Sequence, residues 1–276
     1  MHYVLHIHYM KVAVLIIGQP NAAVKNSEHI INTIIAPNNA DVFMHMWYDK
    51  DNLYAEKSDK NRECTLDPNL DEKLLEIYKP KAYCVEKQRF TNFANYDGSY
   101  YKLPEKYLQN YCNMDGNRGL KPTDVQNRII KYTHLSQFYS VFKCNMLKEE
   151  YSIENNVLYD CVIKIRYDTK MGFILNCDNI PMDRLYYINI GQTDNIVSDW
   201  FNMGNSMIMN IYSAIFLNLK YLNDTQGIYK QNQRQPVTLW DISIGSMSPE
   251  HLIRDLMDLY KITCVKINAH CSIETI

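Results

Sequence analysis

Apolar residues in this chain fall either in unbroken runs or at helical spacing, and the runs come first. Val12 to Ile17 is continuously apolar and stops at Gly18-Gln19-Pro20. An unbroken run ended by a turn signal predicts a strand covered on both faces of a parallel sheet. Ala22 to Ile35 supports a helix, "NNADVFMHMWYD" a second buried strand ending in His45, Trp47 and Asp49, and "YKPKAYCVEKQ" a third. Strand, helix and strand at this spacing imply right-handed crossovers. The fold class expected is α/β, an open, mixed but mainly parallel sheet flanked by helices. Ligands of such sheets bind outside the carboxyl ends of the strands.

From Arg89 to Lys121 the pattern lapses into a long excursion rich in Tyr, Asn and Gly, whose tyrosines at 96–111 are candidates to stack on a sugar or a base. Pro122-Thr123 then opens the strongest helix, with Thr123 as N-cap and Gln126 completing a capping box. Its apolar stripe is Leu135, Phe138, Phe142 and Met146. A short strand follows in "RLYYINIG", then the segment Asp194 to Trp200 and a helix from Ser206 to Leu222. Ser248-Pro249-Glu250 starts a last helix, where Ser caps, Pro fits the first turn and Glu favours the positive dipole end. Tyr260 to Asn268 returns as a final strand. The domain expected is 10–276, preceded by an extension over 1–9, since "MKVAVLIIGQP" reads as a natural start.

The segment "YDCVIKIRYDTKM" (159–171) breaks the apolar pattern in an informative way. In an extended chain Cys161, Ile163, Ile165 and Tyr167 share one face, while Val162, Lys164, Arg166 and Asp168 share the other. Two readings are open: an edge strand whose charges meet water, or a functional site at a strand end. Arg166, Asp168 and Lys170 would then lie near the ends of the first two strands, at Gly18-Gln19 and His45-Met46-Trp47.

Composition narrows the partners. A formal net charge of −2 with 22% charged residues gives no bulk reason to expect nucleic acid or an anionic membrane. No apolar run approaches the ~20 residues a membrane span needs, and a soluble, cytoplasmic protein is expected. Eight cysteines without a C-x-x-C pair argue against a zinc ribbon or thioredoxin motif and for reduced thiols. His6 and His8 are a weak metal signal. No G-x-G-x-x-G, G-x-x-x-x-G-K-[ST] or G-x-S-x-G occurs, which removes support for the dinucleotide fingerprint, the phosphate loop and the hydrolase elbow.

What remains suits a nucleoside diphosphate. A diphosphate leaving group gathers negative charge as its bond to a sugar breaks, and an Arg fork or a carboxylate-held divalent metal stabilises it. At these residues the sequence resembles the glycosyltransferases of giant DNA viruses of the mimivirus type, which have a GT-A-like nucleotide-sugar-binding fold. The resemblance spans most of the chain through "KVAVLIIGQP", "NNADVFMHMWYD", "SQFYSVFKCNMLKEEY", "YDCVIKIRYD", "SDWFNMGNS", "MNIYS" and "SPEHL", in that order. The abundance of Asn, Ile, Lys and Tyr also looks like translation of an AT-rich genome.

The resemblance implies transfer of a sugar from a nucleotide-sugar donor to a glycan or protein acceptor, in the host cytoplasm if the source is viral. It sets Arg166-Tyr167-Asp168 where such enzymes carry a metal-binding D-x-D, so Asp168 would be the ligand of Mn²⁺ or Mg²⁺. Arg166 replaces the first carboxylate, and Asn21 stands where relatives tend to carry a basic residue. Gly18, Gln19, His45, Trp47, Arg166 and Lys170 are the candidate donor-binding residues. Asp199 is the candidate base for the acceptor hydroxyl, with Glu250 and Asp241 competing. Two alternatives stand beside transfer: a non-catalytic glycan- or partner-binding module with a degenerate site, and an α/β enzyme using another nucleotide.

Overall fold

The structure is a computed structural model, and it describes residues 10–20, 22–56, 63–88, 132–188, 196–222, 249–268 and 271–273. Residues 1–9, the excursion from 89 to 121, the Thr123 and Ser248 caps and Asp241 lie outside the described residues.

The first apolar run is β1 (Val12–Gly18), and it is buried on both faces as its pattern requires. α1 (Ala23–Ile30) follows and widens into a π turn at Ile31–Ile35 before a 3₁₀ turn at Ala36–Asn38. The Thr33 hydroxyl donates to the His29 carbonyl at 2.7 Å, a back-bond from the side chain that competes with the helix ladder just where it widens. β2 (Asp41–Trp47) comes next, followed by a small hairpin of β3 (Tyr54–Glu56) and β4 (Glu63–Thr65). α2 (Leu70–Tyr78) carries Asp71 and Glu72 in its first turn, where the dipole favours them. The third expected strand is β5 (Ala82–Glu86). α3 (Tyr132–Asn155) leads to β6 (Cys161–Arg166) and the short β7 (Thr169–Met171). The rest comprises β8 (Leu185–Ile188), β9 (Phe201–Gly204), α4 (Ser206–Ser213), α5 (Ile215–Tyr221), α6 (Pro249–Leu259), β10 (Cys264–Ile267) and β11 (Cys271–Ile273).

Seven strands form one sheet in the order β5-β2-β1-β6-β9-β8-β10. All run parallel except β9, which is antiparallel to both β6 and β8. One face packs on α1, the π turn and α2, the other on α3 to α6, so the sheet is the middle of three layers. From β1 the chain steps outward to β2 and β5, then returns to place β6 on the other side of β1. The junction between β1 and β6 is therefore the switch point of the sheet.

Three expectations change. The solvated-edge reading of 159–171 fails, because β6 lies between β1 and β9 and Lys164 is fully buried. The α3 stripe is rotated: Leu135, Phe138, Val141 and Cys144 are in the core, while Phe142 is only partly buried and Met146 is exposed. Asn145 and Lys148 occupy buried positions that an apolar stripe would not include, with partners on α4. The helix from Ser206 to Leu222 is broken at Ala214, and the strand beside β6 begins at Phe201, beyond the segment Asp194 to Trp200.

Candidate functional site

Two strand ends meet at the switch point. β1 and β6 pair with Ile17 opposite Arg166, and β1 and β2 pair with Gly18 opposite Met46. Gly18, at φ 102°, turns the chain out of the sheet in a conformation that L side chains rarely adopt. Its N–H donates to the Ser140 hydroxyl of α3 at 3.0 Å. Gln19 follows at the surface.

β6 ends in a turn at Tyr167-Asp168 that other elements hold. Asn26 of α1 donates from Nδ2 to the carbonyls of Tyr167, at 3.0 Å, and Thr169, at 2.8 Å. The Arg166 N–H donates to Thr169 Oγ1 at 3.2 Å, and the Tyr167 ring is fully buried beneath. Lys170 leaves the main sheet on β7, opposite Ser272 of β11.

Arg166 and Asp168 form a two-pronged ion pair, Nε to Oδ1 at 2.9 Å and Nη2 to Oδ2 at 2.7 Å. Such a fork fixes both side chains. Burial alone would pull the guanidinium pKa down, but the charge and hydrogen bonds of Asp168, with Asp199 adding to them, carry it up. Arg166 keeps 31% of its side chain exposed, and among the described residues Nη1 makes no hydrogen bond. Both Asp168 oxygens are engaged, each through one hydrogen bond, so the Mn²⁺ or Mg²⁺ that the resemblance implies would share the carboxylate with the Arg166 guanidinium.

Lys164 sits one step back on β6, sealed from water, with its ammonium donating to the Asp199 carbonyl. Desolvation pulls its pKa down to about 8, against an opposing pull from Asp199, Asp168 and Glu250 and with a further push down from Arg166. Glu250, second residue of α6, adds to the same field, and its carbonyl accepts from the N–H of Val197, two residues before Asp199, at 3.3 Å. Asp199 is buried, and Oδ2 accepts from Gln137 of α3 at 2.5 Å. Two cations thus face three carboxylates. Net charge does not draw an anion here; directed N–H groups would have to.

His45 and Trp47 lie under α3 rather than on an open wall. His45 is fully buried, with Nδ1 2.7 Å from Ser140 Oγ and Nε2 3.3 Å from Glu86 Oε2. Trp47 donates from Nε1 to the Ser136 carbonyl at 3.2 Å and stacks on Tyr139, ring centroids 5.4 Å apart. The structure therefore brings Gly18, Arg166, Asp168, Asp199 and Glu250 to one edge, puts His45 and Trp47 in the layer behind it, and leaves Lys170 on a separate ribbon.

Sequence reasoning missed the contribution of α3. Ser136, Gln137 and Ser140 meet Trp47, Asp199, Gly18 and His45. Their signal was present as polar residues at i, i+1 and i+4 in "HLSQFYSVF", interrupting an otherwise apolar face. Glu86 was missed, and Lys164, placed on the face of Arg166 and Asp168, was given no role because the Asp199 carbonyl it meets lies 35 residues onward. In comparisons with known proteins, no family model matches the chain and no curated protein is significantly similar to it.

Proposed function

We propose that the carboxyl edge of the sheet binds a nucleotide sugar and that the protein transfers the sugar to a hydroxyl of a glycan or protein acceptor. The observation that carries this reading is the level meeting of the Gly18 turn with the Arg166–Asp168 pair at the switch point. Gly18 has no Cβ, and a side chain added there would meet nothing within 4 Å, so the backbone offers open space for a close approach. Asp168 acts as a positioning residue that holds the guanidinium, and Arg166 donates its remaining N–H groups to the diphosphate.

In the transfer, an acceptor oxygen bonds to the sugar carbon as the carbon–oxygen bond to the diphosphate breaks. The electron pair leaves on the diphosphate beside Arg166, and Asp199 takes the proton from the acceptor hydroxyl. Single displacement with Asp199 as the base inverts the sugar carbon. Glu250 is the alternative base.

The test is a thermal-shift screen of UDP- and GDP-sugars with and without Mn²⁺, followed by donor hydrolysis. Stabilisation by a nucleotide sugar with slow hydrolysis supports transfer. Stabilisation by a free glycan alone supports the binding module, a reading that the engagement of both Asp168 oxygens by Arg166 favours. Stabilisation by an unrelated nucleotide supports the third alternative.

A further inference from the structure

His45, Cys84 and Glu86 stand together where β2 and β5 pair. The register sets His45 opposite Cys84 and Trp47 opposite Glu86. Cys84 and Glu86, two residues apart, therefore share one face of β5, the face on which His45 projects from β2. One His45 ring nitrogen, the Cys84 sulfur and a Glu86 oxygen all lie within 4.8 Å of one another. Nε2 is the nitrogen beside Glu86, at 3.3 Å. Nδ1 meets Ser140 Oγ at 2.7 Å, and Ser140 is itself anchored by the Gly18 N–H.

We propose that His45, Cys84 and Glu86 bind a zinc ion that ties β2 to β5, with Ser140 as the positioning residue for His45. The donor set selects the ion: an imidazole, a thiolate and one carboxylate suit borderline Zn²⁺ rather than hard Mg²⁺ or Mn²⁺. Bonds of about 2.0 to 2.3 Å in a tetrahedron set ligand atoms about 3.3 to 3.8 Å apart. The Nε2–Oε2 separation of 3.3 Å already meets that spacing, and no pair exceeds 4.8 Å. His45 is buried and held on its far side, while Cys84 and Glu86 are partly exposed, so the closing movement falls to the side chains with room to make it.

As the Sγ–Zn bond forms, Cys84 gives its thiol proton to solvent. With zinc bound, the His45 proton is on Nδ1 and donates to Ser140 Oγ, which leaves the Nε2 lone pair for the ion; the proton that a hydrogen bond from Nε2 to Glu86 requires is given up at Nε2 as the Nε2–Zn bond forms. Three protein ligands leave a fourth position for water or a substrate atom. This site is separate from Asp168, and its zinc binding does not depend on the sugar-transfer reading.

The experiment uses the full chain, stripped with chelator and titrated with Zn²⁺ and Co²⁺, in a background where His6 and His8 are both replaced to remove competing ligands. The expected result is one zinc per chain by elemental analysis, and a thiolate-to-cobalt charge-transfer band in the near ultraviolet that Cys84→Ser abolishes. Glu86→Gln should weaken zinc binding without removing the band, and Ser140→Ala should weaken it about 10- to 100-fold. Circular dichroism of each metal-free variant checks folding; if Cys84→Ser does not fold, loss of affinity in Glu86→Gln and Ser140→Ala carries the test. A cobalt spectrum unchanged by Cys84→Ser, or zinc affinity unchanged in folded Glu86→Gln and Ser140→Ala, overturns the proposal and leaves a His45–Glu86 hydrogen bond only.

Discussion

Lys148 on α3 and Lys164 on β6 are both sealed from water, and burial pushes the pKa of each down. Their surroundings differ. Lys148 is answered locally by the Glu149 carboxylate, by Ser206 Oγ at 2.6 Å and by Asn210 Oδ1 at 3.3 Å, a set that joins α3 to α4. Among the described residues Lys164 meets only a main-chain carbonyl directly, and its charge is balanced at longer range by Asp199, Asp168 and Glu250. A paired buried charge is a tie between elements. A buried charge whose balance is spread over several carboxylates near a strand end is sensitive to whatever binds there, which separates a structural lysine from one poised at a site.

The largest effect expected lies at the Lys164 edge. Arg166→Ala and Asp168→Asn should each lower donor turnover by at least about a hundredfold, the scale of a lost charge-stabilising contact. Both should also lower the melting temperature, since each change breaks the fork and leaves a largely buried partner without its counter-charge, so folding is checked by circular dichroism; Lys148→Met should leave kcat/KM unchanged. Steady-state kinetics with a confirmed donor checks this. If Arg166→Ala is the worse variant and EDTA has no effect, the guanidinium neutralises the diphosphate. If Asp168→Asn costs more with Mn²⁺ than with EDTA, a metal does so. Wild-type turnover in both variants would remove the difference between the two lysine environments.

Next comes pH. With its folded pKa lowered to about 8, Lys164 keeps its proton more readily when unfolded, where Lys titrates near 10.4. Between those values the unfolded state binds more protons, so stability rises with pH across that window. The gain from this one group is about 3 kcal/mol. Lys164→Met should lose that rise, read as the difference between wild-type and variant urea midpoints at pH 7.5 and 10, the difference cancelling the tyrosines common to both.

Smaller still is Lys148→Met, which leaves Glu149, Ser206 and Asn210 without their shared donor and should cost about 2 kcal/mol at neutral pH. A loss as small as that of a surface substitution would show that this lysine is no tie. The smallest effect is Gly18→Ala, whose only penalty is the positive φ, about 1 kcal/mol by chemical denaturation.

The strands were legible in the sequence for a simple reason. Runs such as "VAVLII" and "VFMHMW" have no polar face, and only a sheet layered on both sides can bury them. That alone determined an α/β fold, the place of β1, β2 and β5 within it, and the strand end at Arg166 as a place to look. Helix boundaries and faces were less legible, since Asn145 and Lys148 are buried through partners on α4, more than fifty residues onward, that a local pattern cannot contain. The tertiary structure decided the rest. It set β6 beside β1 rather than at an edge, answered Arg166 with Asp168, and brought Ser140 to Gly18 and His45, 122 and 95 residues away. A sequence states which groups are present; their pKa values, pairings and accessibility depend on burial and on neighbours distant in the chain, and those exist only once the layers have closed.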